Sequence, residues 1–166
     1  VTTPPLPHLP PEVLERLRQI GLRIDAAGRL WHQGDEVTHA GLRRALLRWL
    51  DVRADGQPII KLDDVRYAYV DVDDTPLRIT AVRWDGELPI AHVDDDTAAP
   101  LDLATLVVDA DDRLRARVRD GRVTARLTSA AQQVLLERAD ERAGVYGVVA
   151  AGRFWPLTAA PPSPPA

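Results

Sequence analysis

Residues 113–127 read Arg-Leu-Arg-Ala-Arg-Val-Arg-Asp-Gly-Arg-Val-Thr-Ala-Arg-Leu. Strict alternation of charged and apolar side chains is the period-two signature of a half-buried strand. Asp120-Gly121 interrupts the run, and both central residues of a type I′ turn take φ > 0, which favours this dipeptide. The stretch therefore predicts a hairpin with a two-residue loop, in which Arg119 faces Arg122, Arg117 faces Thr124 and Arg115 faces Arg126. One face collects Arg113, Arg115, Arg117, Arg119, Arg122 and Arg126; the other collects Leu114, Ala116, Val118, Val123, Ala125 and Leu127. Like charges placed directly opposite one another destabilise a sheet. Such a face requires an anionic partner.

The charge distribution offers one within the chain. The formal net charge is −4, but residues 54–112 carry 4 basic and 15 acidic side chains, whereas residues 113–166 carry 9 basic and 4 acidic ones. Folding the acidic middle against the basic end would neutralise both. Two rivals compete for the arginine face. A small anionic ligand suits guanidinium groups, whose planar fork binds phosphate or carboxylate oxygens bidentately. Nucleic acid also needs a basic stripe, but an overall pI near 5.5 and the acidic middle argue against a polyanion.

Composition narrows the class further. A hydrophobic fraction of 45% in 166 residues supports one medium domain or two small lobes. The chain has no cysteine and no methionine, which excludes disulfides, thiolate catalysis and cysteine metal sites. No apolar run approaches the ~18 residues of a membrane span. The opening Val-Thr-Thr-Pro-Pro-Leu-Pro does not read as a secretory signal, so a cytoplasmic location is expected.

The pattern along the chain predicts an α+β fold with antiparallel sheets and a few helices. Residues 1–11 are proline-rich and expected to be disordered. A helix is expected over 11–20, with Gly21 as its stop, followed by short strands at 22–25 and 29–32. Thr38 is read as the cap of a helix ending near Leu50, whose stripe is Leu42, Ala45, Leu46, Trp49 and Leu50. Strands follow near 58–62, 66–72, 77–84 and 87–93, with Asp85-Gly86 as a second hairpin signal. The polar run 94–100 reads as a linker, dividing an N-terminal α+β lobe, 12–96, from a β-rich C-terminal lobe with one helix, 97–158. Residues 101–108 fit either strand or helix. Thr128 or Ser129 caps a helix expected to run to about Ala143, and two strands flank Ala151-Gly152. Residues 159–166 are expected to form a disordered tail. Ala27-Gly-Arg-Leu-Trp31 recurs as Ala151-Gly-Arg-Phe-Trp155, a weak internal repeat in so biased a composition.

Four segments together resemble a bacterial family, domain of unknown function 1285. Residues 23–39 resemble its opening Ile-Asp-x-x-Gly, aromatics, second glycine and Ile-x-Arg, with Gly28, Gly34 and Val37 in register. His39 stands where that pattern has arginine. Val72-Asp-Asp-Thr-Pro-Leu77 is similar to its Val-Glu-Asp-x-Pro-Phe. Residues 125–131 and 146–157 resemble its closing helix and final hairpin. The resemblance implies two related lobes, the C-terminal one like a pleckstrin-homology-type barrel. It also implies a nucleotide-like ligand at the lobe interface and a signalling-type role.

Enzymatic signatures are weak. The only serines are Ser129 and Ser163, with no nucleophile elbow. Phosphate-loop and dinucleotide fingerprints are missing, so side chains would have to hold any nucleotide. His32, His39 and His92 lack metal-ligand spacing, and the paired aspartates at 63–64 and 73–74 read as turn formers. No cofactor or metal is expected. The residues favour a non-enzymatic binding or sensing protein for a small anion, with Arg115, Arg117, Arg119 and Arg126 supplying charge and Arg29 and His39 approaching from the first lobe. The alternative is an interaction module whose arginine face docks on an acidic protein surface. Homo-oligomerisation is left open.

Overall fold

The computed structural model describes residues 10–161. They fall into two compact units that divide between Asp74 and Thr75. The fold is α+β, as the pattern predicts, with three sheets and three α-helices among the described residues. The expectations for residues 1–9 and 162–166 lie outside the described part.

In the first unit, α1 (Pro11–Arg18) precedes a hairpin of β1 (Leu22–Ile24) and β2 (Leu30–His32). β3 (Asp35–Glu36) and α2 (Ala40–Trp49) follow, then a meander of β4 (Leu50–Val52), β5 (Pro58–Lys61) and β6 (Tyr67–Val72). β6 returns beside β1 in parallel, giving the order β3-β2-β1-β6-β5-β4. Leu22, Ile24, Leu30, Leu47, Leu50, Ile59, Ile60 and Val70 form its core. The α2 stripe differs from expectation. Leu47 is its buried anchor, packed towards β5, while Leu42 and Trp49 remain half exposed. The helix is rolled by one residue relative to the apolar stripe, so Leu47 replaces Leu46 on the covered side.

The second unit begins with β7 (Leu77–Asp85), β8 (Leu88–Val93) and β9 (Ala98–Pro100). A short 3-10 turn (Leu103–Thr105) leads to β10 (Val107–Val108), β11 (Leu114–Val118), β12 (Val123–Leu127) and α3 (Ser129–Leu136). β13 (Ala139–Arg142), β14 (Val145–Ala150), β15 (Arg153–Pro156) and β16 (Thr158–Ala159) complete the unit. One sheet runs β16-β10-β11-β12-β7-β8-β9 and the other β13-β14-β15. Strand pairing among the described residues closes no barrel. Leu114, Ala116, Val123, Ala125 and Leu127, the apolar face of the alternating run, are buried together with Leu77, Ile79, Ala131 and Leu135, where α3 packs on β7 and β12.

Three sequence expectations change. The run 94–100 is not a boundary: it makes the turn of the β8–β9 hairpin, where the Val93 N–H donates to the Thr97 carbonyl at 2.9 Å, so β7–β9 belong with the later strands. α3 stops at Leu136, because Ala139–Arg142 pairs antiparallel with β14 around Ala143-Gly144, both at positive φ. Cross-strand pairing there overrides the helix propensity of Ala-Asp-Glu-Arg. The tail is ordered through its first residues, with β16 parallel to β10 and the Ala160 N–H donating to the Val108 carbonyl at 2.7 Å.

Both units repeat one topology. Each has a hairpin, a third strand, a helix and a three-stranded meander, and the chain then returns parallel to the first strand, through the meander's own last strand β6 in one (β3-β2-β1-β6) and through the separate strand β16 in the other (β12-β11-β10-β16). The sequence correspondence is Ile24-Asp-Ala-Ala-Gly-Arg-Leu30 with Val108-Asp-Ala-Asp-Asp-Arg-Leu114, each spanning the turn of the first hairpin. The repeat seen at 27–31 and 151–155 joins non-equivalent places, the β1–β2 turn and the β14–β15 turn.

β14 crosses β15 closely at Gly147. A methyl group there would run into the Phe154 ring and lie 2.5 Å from the Trp155 carbonyl oxygen. Gly147→Ala should therefore lower the unfolding free energy by about 1–3 kcal/mol, the usual range for overpacking, as read by urea denaturation.

Candidate anion-binding site

The arginine face is built outward from one carboxylate. Asp109 ends β10, and the turn to β11 wraps around its side chain. The backbone N–H groups of Asp111 and Arg113 donate to Oδ1 at 2.9 and 3.0 Å. Arg113 Nε donates to Oδ2 at 3.1 Å, and Arg115 Nε and Nη2 donate to the same oxygen at 3.0 and 2.8 Å. Burial alone would push this carboxyl up, but the Arg113 N–H, the Arg115 guanidinium and the Asp111 N–H outweigh it and hold the pKa at about 2. A second ion pair joins Arg113 Nη2 to Asp111 at 2.7 Å.

The hairpin forms in the expected register: Arg115 faces Arg126, Arg117 faces Thr124 and Val118 faces Val123. The Arg122 N–H closes the turn onto the Arg119 carbonyl at 3.2 Å, and Arg119, Asp120 and Gly121 all have positive φ. That conformation turns Arg119 away from the row. Its Nη2 donates to Asp95 Oδ2, deep in the β8–β9 turn, where Asp95 is fully buried and also accepts from the Thr97 hydroxyl and N–H. Burial pushes Asp95 up, while the Thr97 hydroxyl and Arg119 bring it below the ordinary carboxylate range.

Arg126 occupies the middle of a row. β12 pairs with β11 on one side and in parallel with β7 on the other, so Arg126 has Arg115 and Arg78 as lateral neighbours. Both Arg126 and Arg78 have partners within the structure. Sequence reasoning missed Arg78, because a parallel pairing of strands 48 positions apart leaves no local signal.

Arg117 is exposed. Its Nη1 donates to the Gly121 carbonyl at 3.1 Å, and its N–H donates to Thr105 Oγ1 at 2.9 Å. It borders a cleft of about 350 Å³ that is lined also by Thr105, Asp109, Arg115, Thr124 and Ala160. Asp109 is shared between Arg113 and Arg115, so the charge facing this cleft is positive on balance.

The other two expected residues lie in the first unit. Arg29 Nε donates to Asp25 Oδ2 at 2.8 Å, and its guanidinium lies over the Trp31 ring, 5.4 Å from the centroid. His39 is the cap of α2 in place of Thr38, its Nδ1 accepting from the Leu42 N–H at 3.1 Å. Among the described residues, no group of three or more His, Asp or Glu side chains is placed to hold a metal ion.

Comparison with solved structures decides the architecture. A DUF1285 family protein from Silicibacter pomeroyi DSS-3 matches with a TM-score of 0.71 and 19% identity, over 85% of this chain and 81% of that one. A second, from Shewanella baltica OS155, matches with a TM-score of 0.60 and 18% identity, over 70% of this chain and 91% of that one. This chain has the DUF1285 fold. No family model and no curated protein matches the sequence. Within the DUF1285 fold of this chain, the arginine face thus belongs to the first hairpin and third strand of the second repeat.

Two outcomes test the geometry. Asp109 has a folded pKa of about 2 against an ordinary 3.8, so its contribution to stability is complete above pH 4 or so and is lost as pH falls towards the folded value. Asp109→Asn should lower stability at neutral pH and flatten its decline across that acid window, as read by urea unfolding at a series of pH values. Arg119→Ala leaves Asp95 buried without its guanidinium and should cost about 3 kcal/mol in the same assay.

Proposed function

We propose that this chain is a DUF1285 family member that binds a small anion, phosphate-bearing or nucleotide-like, in the cleft beside Arg117. It would do so as a non-enzymatic sensing step in the cytoplasm. The observation that carries this reading is the division of labour among the arginines. Arg113, Arg115 and Arg119 are answered by Asp109, Asp111 and Asp95 of the acidic middle, whereas among the described residues the exposed Arg117 guanidinium donates to a backbone carbonyl, that of Gly121, at the mouth of a cleft of about 350 Å³. Arg115 flanks the same cleft with Nε and Nη2 held by Asp109, so that its charge is fixed in place at the wall beside Arg117. The Thr124 side chain lies along the same wall, while the Thr105 hydroxyl, which donates to the Asp102 carbonyl at 2.8 Å, fixes the Arg117 backbone.

The interaction-module reading draws on the same side chains. The ion pairs within the chain favour it for the structural arginines, with the acidic surface supplied by the chain itself. The two readings separate on Arg117. In calorimetric titrations at low salt with inorganic phosphate and with a nucleoside triphosphate, Arg117→Ala should weaken binding about tenfold or more, since a charge-assisted contact contributes roughly 1.5–3 kcal/mol. The melting temperature should stay unchanged, because Arg117 is exposed. A melting temperature lowered by Arg117→Ala, with no anion bound by either protein, would favour the structural reading.

A further inference from the structure

The repeated topology places a second cleft at the counterpart position in the first unit. The cleft beside Arg117 is lined by Thr105, Val107, Arg115 and Arg117. Shifted back by the same sequence offset, these become Gly21, Arg23, Trp31 and Gln33, which line a cleft of about 400 Å³ together with Gly34 and Asp71. The backbone frame is also shared. The Asp73 N–H donates to the Ile24 carbonyl at 3.0 Å as Ala160 does to Val108 at 2.7 Å. The Gln33 N–H donates to the Gly21 carbonyl at 2.9 Å, where Arg117 donates to Thr105 Oγ1.

The same carboxylate anchors both frames. Asp25 accepts the Arg29 N–H at 2.9 Å and Arg29 Nε at 2.8 Å, as Asp109 accepts from Arg113. Its Oδ2 then takes the Trp31 indole N–H at 3.0 Å, where Asp109 takes the Arg115 guanidinium. The frame is kept and the chemistry is exchanged: an aromatic ring replaces a cation at the wall. Arg23, which lines this cleft, is held bidentately by Asp73. Asp71, beside it in register on β6, is exposed and adds negative charge at the rim.

We propose that this cleft is a ligand site in its own right and takes an organic ammonium group, with Trp31 as the aromatic face and Asp71 as the counter-charge. Indole is the side chain that attracts cations best. The protein already places one over it, the Arg29 guanidinium. The two repeats therefore carry opposite preferences, anion in the second and cation in the first. This site rests on first-unit residues alone, so loss of anion binding at Arg117 leaves it standing.

The test is a titration of the full chain with tetramethylammonium chloride, followed by 1H–15N NMR, against sodium chloride at equal ionic strength. The Trp31 indole N–H, assigned through its loss in Trp31→Phe, should move saturably with tetramethylammonium. Asp71→Asn, at an exposed position, should weaken that binding about threefold. Trp31→Leu should remove the saturable shift at the Gln33 amide. A Trp31 response no greater than that to sodium, an affinity unchanged in Asp71→Asn, or an equal response to inorganic phosphate would each overturn the proposal.

Discussion

A largely covered carboxylate held by the turn that follows it is the interaction on which this structure depends. Asp109 receives two backbone N–H groups and two guanidiniums, and Asp25 receives one N–H, one guanidinium and an indole. Each closes the first hairpin of its repeat, and each is brought to a pKa of about 2 by those donors despite partial burial. Burying a carboxylate is costly unless it is paired and hydrogen-bonded, and here the partners come from within six residues. The charge is thus satisfied locally, before any distant element is in place. Arg113 and Arg115, at the start of the alternating row, are thereby answered, and among the described residues Arg117 on β11 is not.

The repeated topology lets one frame present two different walls. In both units the return strand, β6 or β16, lies parallel to the first strand, and Asp71 of β6 in one and Ala160, just after β16, in the other line the cleft beside the hairpin. The wall position contributed by the second hairpin strand is Trp31 in one and Arg115 in the other, and both side chains bond the same oxygen of their aspartate. An exchange that preserves the hydrogen bond to Asp leaves the turn intact while changing what the cleft presents. β7, β8 and β9 have no counterpart in the first unit; they extend the sheet beyond β12, widen the face on which α3 packs, and bring Asp95 to Arg119.

Local signals were legible and non-local ones were not. The Asp120-Gly121 turn specified the hairpin register down to the residue pairs, because turn chemistry and period-two alternation both act within a dozen residues. The Asp94-Asp-Asp-Thr97 run looked like a linker because its composition is polar, yet Asp95 is fully buried; nothing local distinguishes a solvated aspartate from one awaiting Arg119. The same limit hid Arg78 and the strand at Ala139–Arg142, both defined by pairing with distant chain. The true repeat was obscured because what it preserves is an Asp-Ala pair, an arginine and a leucine, while a chance match in Ala, Gly and Arg was more conspicuous. Of the expected site residues, Arg115 and Arg117 meet at one cleft, Arg119 and Arg29 are held by aspartates, and His39 caps a helix.

The central claim is that the chain answers most of its own arginine face and keeps Arg117 for an outside anion. Arginine side-chain NMR with a phosphate titration addresses it most directly. The account predicts that the Arg113 and Arg119 Nε–H signals are protected from exchange and stay in place. Arg117 should exchange fast in the free protein and shift and slow as phosphate binds. Equal responses from all the arginines, or an Arg117 signal indifferent to phosphate while Arg113 and Arg119 move, would contradict it.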